Sequence, residues 1–419
     1  MTRMTQSVWC DWRLLFSGLF LLTTSVAHAA PSALHVSVRT NQVLISWSAQ
    51  EGDFVLQATD GLSPKATWWP TRFAVKLDQG LYSVTVSPAA SRRFYRLATN
   101  DYVSWFQTVQ GPIPAMQQGV VLPHEHIFTD LRGPTTPGYG QADEEDVVRV
   151  MKPLLVEARD RGVDVLVECS SIGVGRNVGV IQRLSQESGL FIVVPTGVYG
   201  RANFAPPAHR DMSEDELASL FTSEIRDGIE GSSIKAGFIK ISTSDTALTE
   251  LEEKFLRAAG RAARETGAVV ASHTVSGAVA RKQADILESI SPAIRFIWVH
   301  AQVEQNRRIH RELAARGVFI EFDSLGWSPA DDNRLIMAIL ELVVAGHADR
   351  VLLSHDAGWY QPGQPNGGSQ KPYTYLLETF VPKLSQSGLD DGTIEMLTRE
   401  NPRRAFAFLT RSSEVAIAP

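Results

Sequence analysis

Residues 119–127 read Gly-Val-Val-Leu-Pro-His-Glu-His-Ile, an apolar run that ends on two histidines, His124 and His126. Side chains alternate along a strand, so the two histidines share one face and Glu125 takes the other. The same design recurs further along the chain. Lys240 stands in Ala-Gly-Phe-Ile-Lys-Ile, His273 follows Val-Val-Ala-Ser, His300 follows Phe-Ile-Trp-Val, and Asp356 follows Val-Leu-Leu-Ser-His. Short apolar runs bounded by helical or turn-like sequence read as buried parallel strands. We expect strands near 119–127, 163–170, 190–198, 236–243, 268–275, 295–302, 318–325 and 350–356. Helical periodicity fills the gaps, for example at 143–161, 213–230, 249–266 and 330–345. Thr249-Glu250-Leu251-Glu252 resembles a cap followed by an acidic first turn. Eight strands with interleaved helices argue an α/β fold, a (β/α)8 TIM barrel, with its chemistry at the carboxyl ends of the strands. No Gly-rich phosphate loop follows the first strand, which weakens a dinucleotide-binding alternative.

The chain has 419 residues, too long for one ordinary domain but right for such a barrel plus something smaller. Residues 1–30 read as a signal peptide. Two arginines precede an apolar stretch at 14–26, and Ala27-His28-Ala29 supplies small residues at cleavage spacing. The stretch is too short to span a bilayer comfortably, so we expect export to the periplasm or beyond with no membrane span after cleavage. The plainer alternative is a retained anchor. Residues 31–103 differ again. Val43, Ile45 and Trp47 alternate, as do Tyr82, Val84 and Val86, with turn signals such as Asp60-Gly61 between the runs. This is a small all-β, sandwich-like accessory module. Trp47, Trp68 and Trp69 would either line a sugar-binding face or fill its core. The barrel is assigned to 104–412. Cleavage would leave Cys169 as the single cysteine, inside an apolar strand and best read as a small core residue. Net charge is −6 with acids and bases mixed, and no basic block suggests nucleic acid.

Each ligand-type residue has a bland reading. A strand-end histidine is commonly a satisfied polar group. Lys240 would snorkel out of the mouth. Asp356 would cap a following helix. Their convergence on one barrel rim argues instead for a metal site built from His124, His126, Lys240, His273, His300 and Asp356. An ammonium among metal ligands would repel the metals. A desolvated lysine shifts toward the neutral amine, which takes up carbon dioxide to give a carbamate with two oxygens. The expected reaction is hydrolysis, water attacking a carbonyl or phosphoryl centre with Asp356 as proton acceptor.

These residues resemble the phosphotriesterase family of the amidohydrolase superfamily. The likeness starts at Gln107-Thr-Val-Gln-Gly-Pro-Ile-Pro and 119–127. It continues through Gly173-Val-Gly-Arg176, Thr196-Gly-Val-Tyr199, Ala236-Gly-Phe-Ile-Lys240, Ser272-His-Thr and Ser354-His-Asp356, and closes with Glu400-Asn-Pro-Arg. The resemblance implies two divalent ions, commonly zinc. His124, His126 and Asp356 would hold the more buried ion, His273 and His300 the more exposed one, and the Lys240 carbamate would bridge them. Tyr199 matches a tyrosine bordering the site in lactonase-like relatives. Glu168 resembles an acidic position that orients a ligand histidine. The chain departs from the family pattern at Ser324, which follows the strand-seven Asp323 where a relay histidine or an arginine is usual, and at Val303 and Val121.

Three functions follow from this reading. The first is an exported hydrolase of lactones, carboxylic esters or phosphoesters. The second is a true organophosphate triesterase, ranked lower because the relay position is altered. The third is a non-catalytic surface protein stabilised by metal, which would be expected to lack ligands. Trp327, Trp359 and Tyr360 would form an apolar leaving-group pocket or pack the loops together. A homodimer stays open.

Overall fold

A computed structural model of the chain describes residues 7–8, 34–39, 42–48, 54–59, 69–70, 76–78, 81–86, 94–99, 102–201 and 203–411. They belong to two compact units, 104–409 and 1–103 with 410–419.

The larger unit is the barrel. Its strands are β1 (Val120–Phe128), β2 (Val163–Glu168), β3 (Phe191–Val193, continued by Pro195–Thr196), β4 (Phe238–Ser242), β5 (Val270–His273), β6 (Phe296–Val299), β7 (Phe319–Phe322) and β8 (Val351–Leu353). All neighbours pair in parallel and in chain order. Beyond β8 the chain runs on to Gly358–Tyr360, which pairs with β1 and closes the ring. Asp356 N–H donates to the His124 carbonyl at 3.1 Å, and His126 N–H donates to the Ala357 carbonyl at 2.8 Å.

Local chemistry explains where the helices begin. The Asp143 side chain accepts the N–H groups of Glu145 and Asp146 ahead of Glu144–Asp160. Ser213 with Glu216, and Thr249 with Glu252, form capping boxes at the starts of Glu214–Arg226 and Glu250–Thr266. Each such cap stabilises by about 1 kcal/mol.

Strand alternation sorts the core into two layers. Phe238, Ala271, Ile297, Phe319 and Leu352 cluster inside the barrel, whereas Ile239, Val270, Trp298 and Ile320 face the helices. Lys240, His273 and Asp323 share the parity of the interior positions, so they inherit the inner face. His124 and His126 do not share the parity of the interior Val121. Register shifts between Val120 and Val121, and between Leu122 and Glu125, break the alternation on β1. A register irregularity of this kind re-aims side chains, and it turns both histidines inward.

In the smaller unit, two antiparallel sheets each have four strands. One pairs His35–Arg39, Gln42–Ser48, Leu81–Val86 and Lys76–Asp78; the other contains Phe94–Thr99 and Phe54–Thr59. Val43, Ile45, Trp47 and Val84 from one sheet form a core with Leu56, Tyr95 and Leu97 from the other, as in a sandwich. Trp47 is buried here, so it fills the core rather than a sugar-binding face. Trp68 and most of the expected leader, 1–30, lie outside the described residues. Ser7–Val8 is described, and it pairs antiparallel with Tyr95 and Arg96. Among the described residues no helix is long and apolar enough to cross a membrane.

Candidate metal centre

The six residues singled out in the sequence come together at the carboxyl ends of the barrel strands. Asp356 Oδ1 lies 3.2 Å from His126 Nε2 and 3.7 Å from His124 Nε2. The buried Lys240 places Nζ 3.3 Å from the same His124 Nε2. His300 Nε2 lies 2.8 Å from His273 Nδ1, and the His300 ring centroid is 5.1 Å from that of His124. Tyr199 borders the cluster, its hydroxyl 3.3 Å from His273 Nδ1. Two positions owe their aim to left-handed backbone. His300 has φ 64° and Asp356 has φ 51°. Strain of this kind in non-glycine residues is held in place by the surroundings and concentrates at functional sites.

Asp323 sets the tautomers. Its fully buried carboxylate faces His124 Nδ1 at 3.0 Å and His300 Nδ1 at 2.8 Å. It also accepts from His300 N–H at 3.0 Å and Gln302 Nε2 at 2.6 Å. Both imidazoles therefore present their protonated Nδ1 to Asp323 and keep the Nε2 lone pair for the site. His124, His300 and Asp323 also meet a purely geometric test for a metal group. The carboxylate's acceptor positions are already taken by these donors, so we read it as the group that orients the two histidines. Ser170 Oγ does the same for His126, 2.9 Å from Nδ1. The expected orienting role of Glu168 is thereby corrected. Glu168 Oε1 stands 3.8 Å from His126 Nδ1 and accepts Ser170 N–H at 2.7 Å, so it acts through the residue that touches the ring.

Burial, helped by the Lys240 charge, lowers the His124 pKa from 6.5 to about 3. Burial, helped by the neighbouring His300, also draws His273 well below its usual value. Both are neutral at pH 7, as a ligand must be. Burial pushes the Asp356 carboxyl up, but His124, His126 and His300 outweigh it and hold the group below the ordinary range. Beneath the site, burial and the neighbouring Asp323 push the Glu321 carboxyl well up, whereas His300 and His124 overcome burial to keep Asp323 ionised.

This donor set fits divalent cations. Asp356 Oδ1 is buried without a formed hydrogen bond and is aimed between two Nε2 lone pairs. A buried carboxylate oxygen left in that state needs a positive charge. A borderline ion that accepts imidazole and carboxylate supplies it.

Glu125, between the two histidines, has a structural part. It is fully buried and reaches across to the loop after β8. It accepts Ser354 Oγ at 2.7 Å, His355 N–H at 3.1 Å, His355 Nδ1 at 2.6 Å and Ala357 N–H at 2.9 Å. The carboxylate between the two histidines thus grips the backbone on both sides of Asp356. Tyr360 follows the packing alternative. It is buried, donates to Asp146 Oδ2 at 2.6 Å and lies near Phe128, away from the mouth. Trp359 sits against His126, ring centroids 4.6 Å apart, and Trp327 is 49% exposed at the rim. Cys169 is buried and free.

Glu321 and Asp323 lie outside the ligand set that the sequence suggests, yet both face the site. Their alternation with Phe319 in Phe-Ile-Glu-Phe-Asp, two acids on the inner face of an apolar strand, was the available signal.

A parallel barrel with histidines and an aspartate converging at its strand ends defines a metal-dependent hydrolase class. A model of the phosphotriesterase family matches residues 104–406. The phosphotriesterase homology protein of Escherichia coli is 32% identical over 292 residues, covering 69% of this chain and 98% of that protein. The aryldialkylphosphatase of Saccharolobus solfataricus is 28% identical over 306 residues, 69% of this chain and 95% of that protein. A crystal structure of a mutant PTE-like lactonase from Deinococcus radiodurans superposes with a TM-score of 0.66 at 31% identity, covering 72% of this chain and 99% of that one. The chain belongs to the phosphotriesterase family and is a metal-dependent enzyme that hydrolyses ester bonds.

Two predictions follow from these contacts. Replacing Glu125→Gln puts an amide N–H₂ against donors, and an unsatisfied buried group costs about 1–3 kcal/mol. The variant should melt lower and retain less metal after dialysis; unchanged melting and metal content would remove the clamp. The second concerns pH. In metal-free protein the folded His124 refuses a proton that the unfolded chain binds between about 6.5 and about 3. Its contribution to stability is complete above that window and is lost as pH falls through it. Chelator-treated protein should therefore melt lower at about pH 5 than at about pH 7.5. Equal melting temperatures would contradict a buried neutral His124.

Proposed function

We propose that this protein is an exported hydrolase that works with two divalent cations, zinc foremost, and cleaves lactones or carboxylic esters. His124, His126 and Asp356 would hold one ion, and His273 and His300 the other. A carbamate on Lys240 would join them. The observation that carries this reading is the buried Lys240 amine, 3.3 Å from His124 Nε2 among the other candidate ligands. An amine that gives up its proton adds to carbon dioxide: an N–C bond forms as one C=O π pair moves to oxygen, a proton leaves, and a carboxylate would stand where the site needs negative charge.

When bound, the cations lower the pKa of water and polarise the electrophilic oxygen of the substrate. The chain does the rest. Asp356, kept ionised, takes the proton from the attacking water. Tyr199, its pKa pushed up to about 12 by burial, stays a neutral O–H donor beside His273 and orients the substrate oxygen. Trp359 covers His126 on the rim side and limits water there.

The triesterase reading stands second. The Saccharolobus solfataricus relative is named for that activity, but Ser324 in this chain lacks the basic side chain of a proton relay. Export rests on the apolar stretch 14–26 and the small residues after it, and the mature N-terminus of secreted protein decides it.

Purified protein should hydrolyse members of a panel of lactones and aryl esters faster than paraoxon-like triesters, and chelation should abolish turnover. Lys240→Ala should lose metal and at least ~100-fold in rate, with partial recovery in short carboxylic acids that replace the bridging oxygens. Turnover that survives chelation overturns the metal mechanism, and full activity in the alanine variant overturns the carbamate.

A further inference from the structure

Lys371 lies in the loop that follows β8 and Gly358–Tyr360. Its backbone exchanges two hydrogen bonds with Gly358, each 3.1 Å, one residue before Trp359. Its side chain rests on the Trp327 ring, with Nζ 2.9 Å from the centroid. Trp327 is itself fixed. Its Nε1–H donates to the His355 carbonyl at 2.7 Å and to the Asp356 carbonyl at 3.3 Å. Trp359 Nε1–H donates to the same Asp356 carbonyl at 2.8 Å. Both indoles are thus tied to the backbone of a residue in the ligand set, and Lys371 is tied to both segments.

The charge of Lys371 is uncommitted. Arg132 pairs with Asp130, and Arg201 pairs with Asp245. Among the described residues no carboxylate forms an ion pair with Lys371. The indole face meets the ammonium on one side only, and an ammonium has three donors. Burial draws its pKa below the usual lysine value, while the Asp356 carboxylate acts in the opposite direction. The ordinary alternative is a solvated rim lysine. Against it stand the two backbone bonds, which fix the Lys371 segment, and the anchored Trp327 indole on which its ammonium rests.

Resting on the hydrolase reading above, we infer that Lys371 determines specificity by receiving an anionic group of the substrate, a carboxylate or a sulfonate, at the Trp327 edge of the mouth. An acid group there would complete the ammonium's hydrogen bonds and would be held in a partly desolvated setting, where a charge-assisted bond is strongest. Asp356 and its neighbours would stay free for the ester carbonyl.

The test compares matched ester pairs that differ in one charge: monophenyl succinate with its methyl ester, and 4-acetoxybenzenesulfonate with the corresponding sulfonamide. The ratio of kcat/KM, anionic over neutral, is measured for the full-length protein, Lys371→Met and Lys371→Arg. The inference predicts a ratio above one for at least one pair, falling ~10-fold or more in the methionine variant, mostly through KM. The arginine variant should keep most of the preference. The carboxylate and sulfonate arms report which acid is taken. An unchanged ratio in Lys371→Met overturns the inference while leaving the hydrolase reading intact. If neither member of either pair is hydrolysed by the parent protein, the hydrolase reading fails instead. Calorimetric binding of succinate and benzenesulfonate then decides Lys371: binding that weakens in the methionine variant supports its role, and equal or absent binding overturns it.

Discussion

The closure of the barrel between β1 and the chain after β8 is the constraint on which the site depends. Asp356 N–H meets the His124 carbonyl, and His126 N–H meets the Ala357 carbonyl. The same few residues therefore seal the ring and carry three of the candidate metal-binding side chains. Glu125 reinforces the seam from behind, accepting from Ser354, His355 and Ala357. Ser354 Oγ also takes the His124 N–H at 3.0 Å. Gly358 must be glycine at this seam. It has φ 91°, and a Cβ there would run into the His126 carbonyl and the Tyr373 hydroxyl. The closure of the fold and the candidate metal group thus share the same residues.

The second theme is charge management in a dry interior. Four histidines, a lysine and three carboxylates within a few ångströms would be unstable if all were ionised. Burial keeps His124 and His273 neutral and pushes the Glu321 carboxyl well up, whereas the neighbouring histidines hold Asp323 and Asp356 below the ordinary carboxylate range. Asp323 is compensated by the N–H groups it orients. Asp356 is the exception, with an oxygen that no donor satisfies. That orphan, beside lone pairs aimed at it, is the physical demand for a cation.

Much of this was legible in the sequence because a barrel reports itself through period. The runs around Lys240 and His273 alternate cleanly, and parity alone sends these side chains inward. Capping at Thr249 and the acidic entry at Asp143 were readable for the same local reason. What parity could not show lies where the backbone breaks it. His300 and Asp356 reach the site through left-handed φ, and the β1 histidines through a register shift. Strand-end position suggested them, but their aim needed the fold. Partnerships across the barrel were equally hidden. Asp323 serves histidines from β1 and from the end of β6, and Glu125 grips the loop after β8, at separations no local pattern encodes. Tyr360 shows the converse: its place beside Trp359 in sequence leaves pocket and packing equally open, and alternation turns it onto the helix Glu144–Asp160.

The central claim is that two cations lie among these lone pairs while Asp323 binds none. Anomalous diffraction from crystals of the zinc-loaded protein tests it most directly. The account predicts two peaks, one bounded by His124 Nε2, His126 Nε2 and Asp356, the other by His273 Nδ1 and His300 Nε2, with continuous density from Lys240 between them. A single peak, or one coordinated by Asp323 and the Nδ1 atoms, would contradict it.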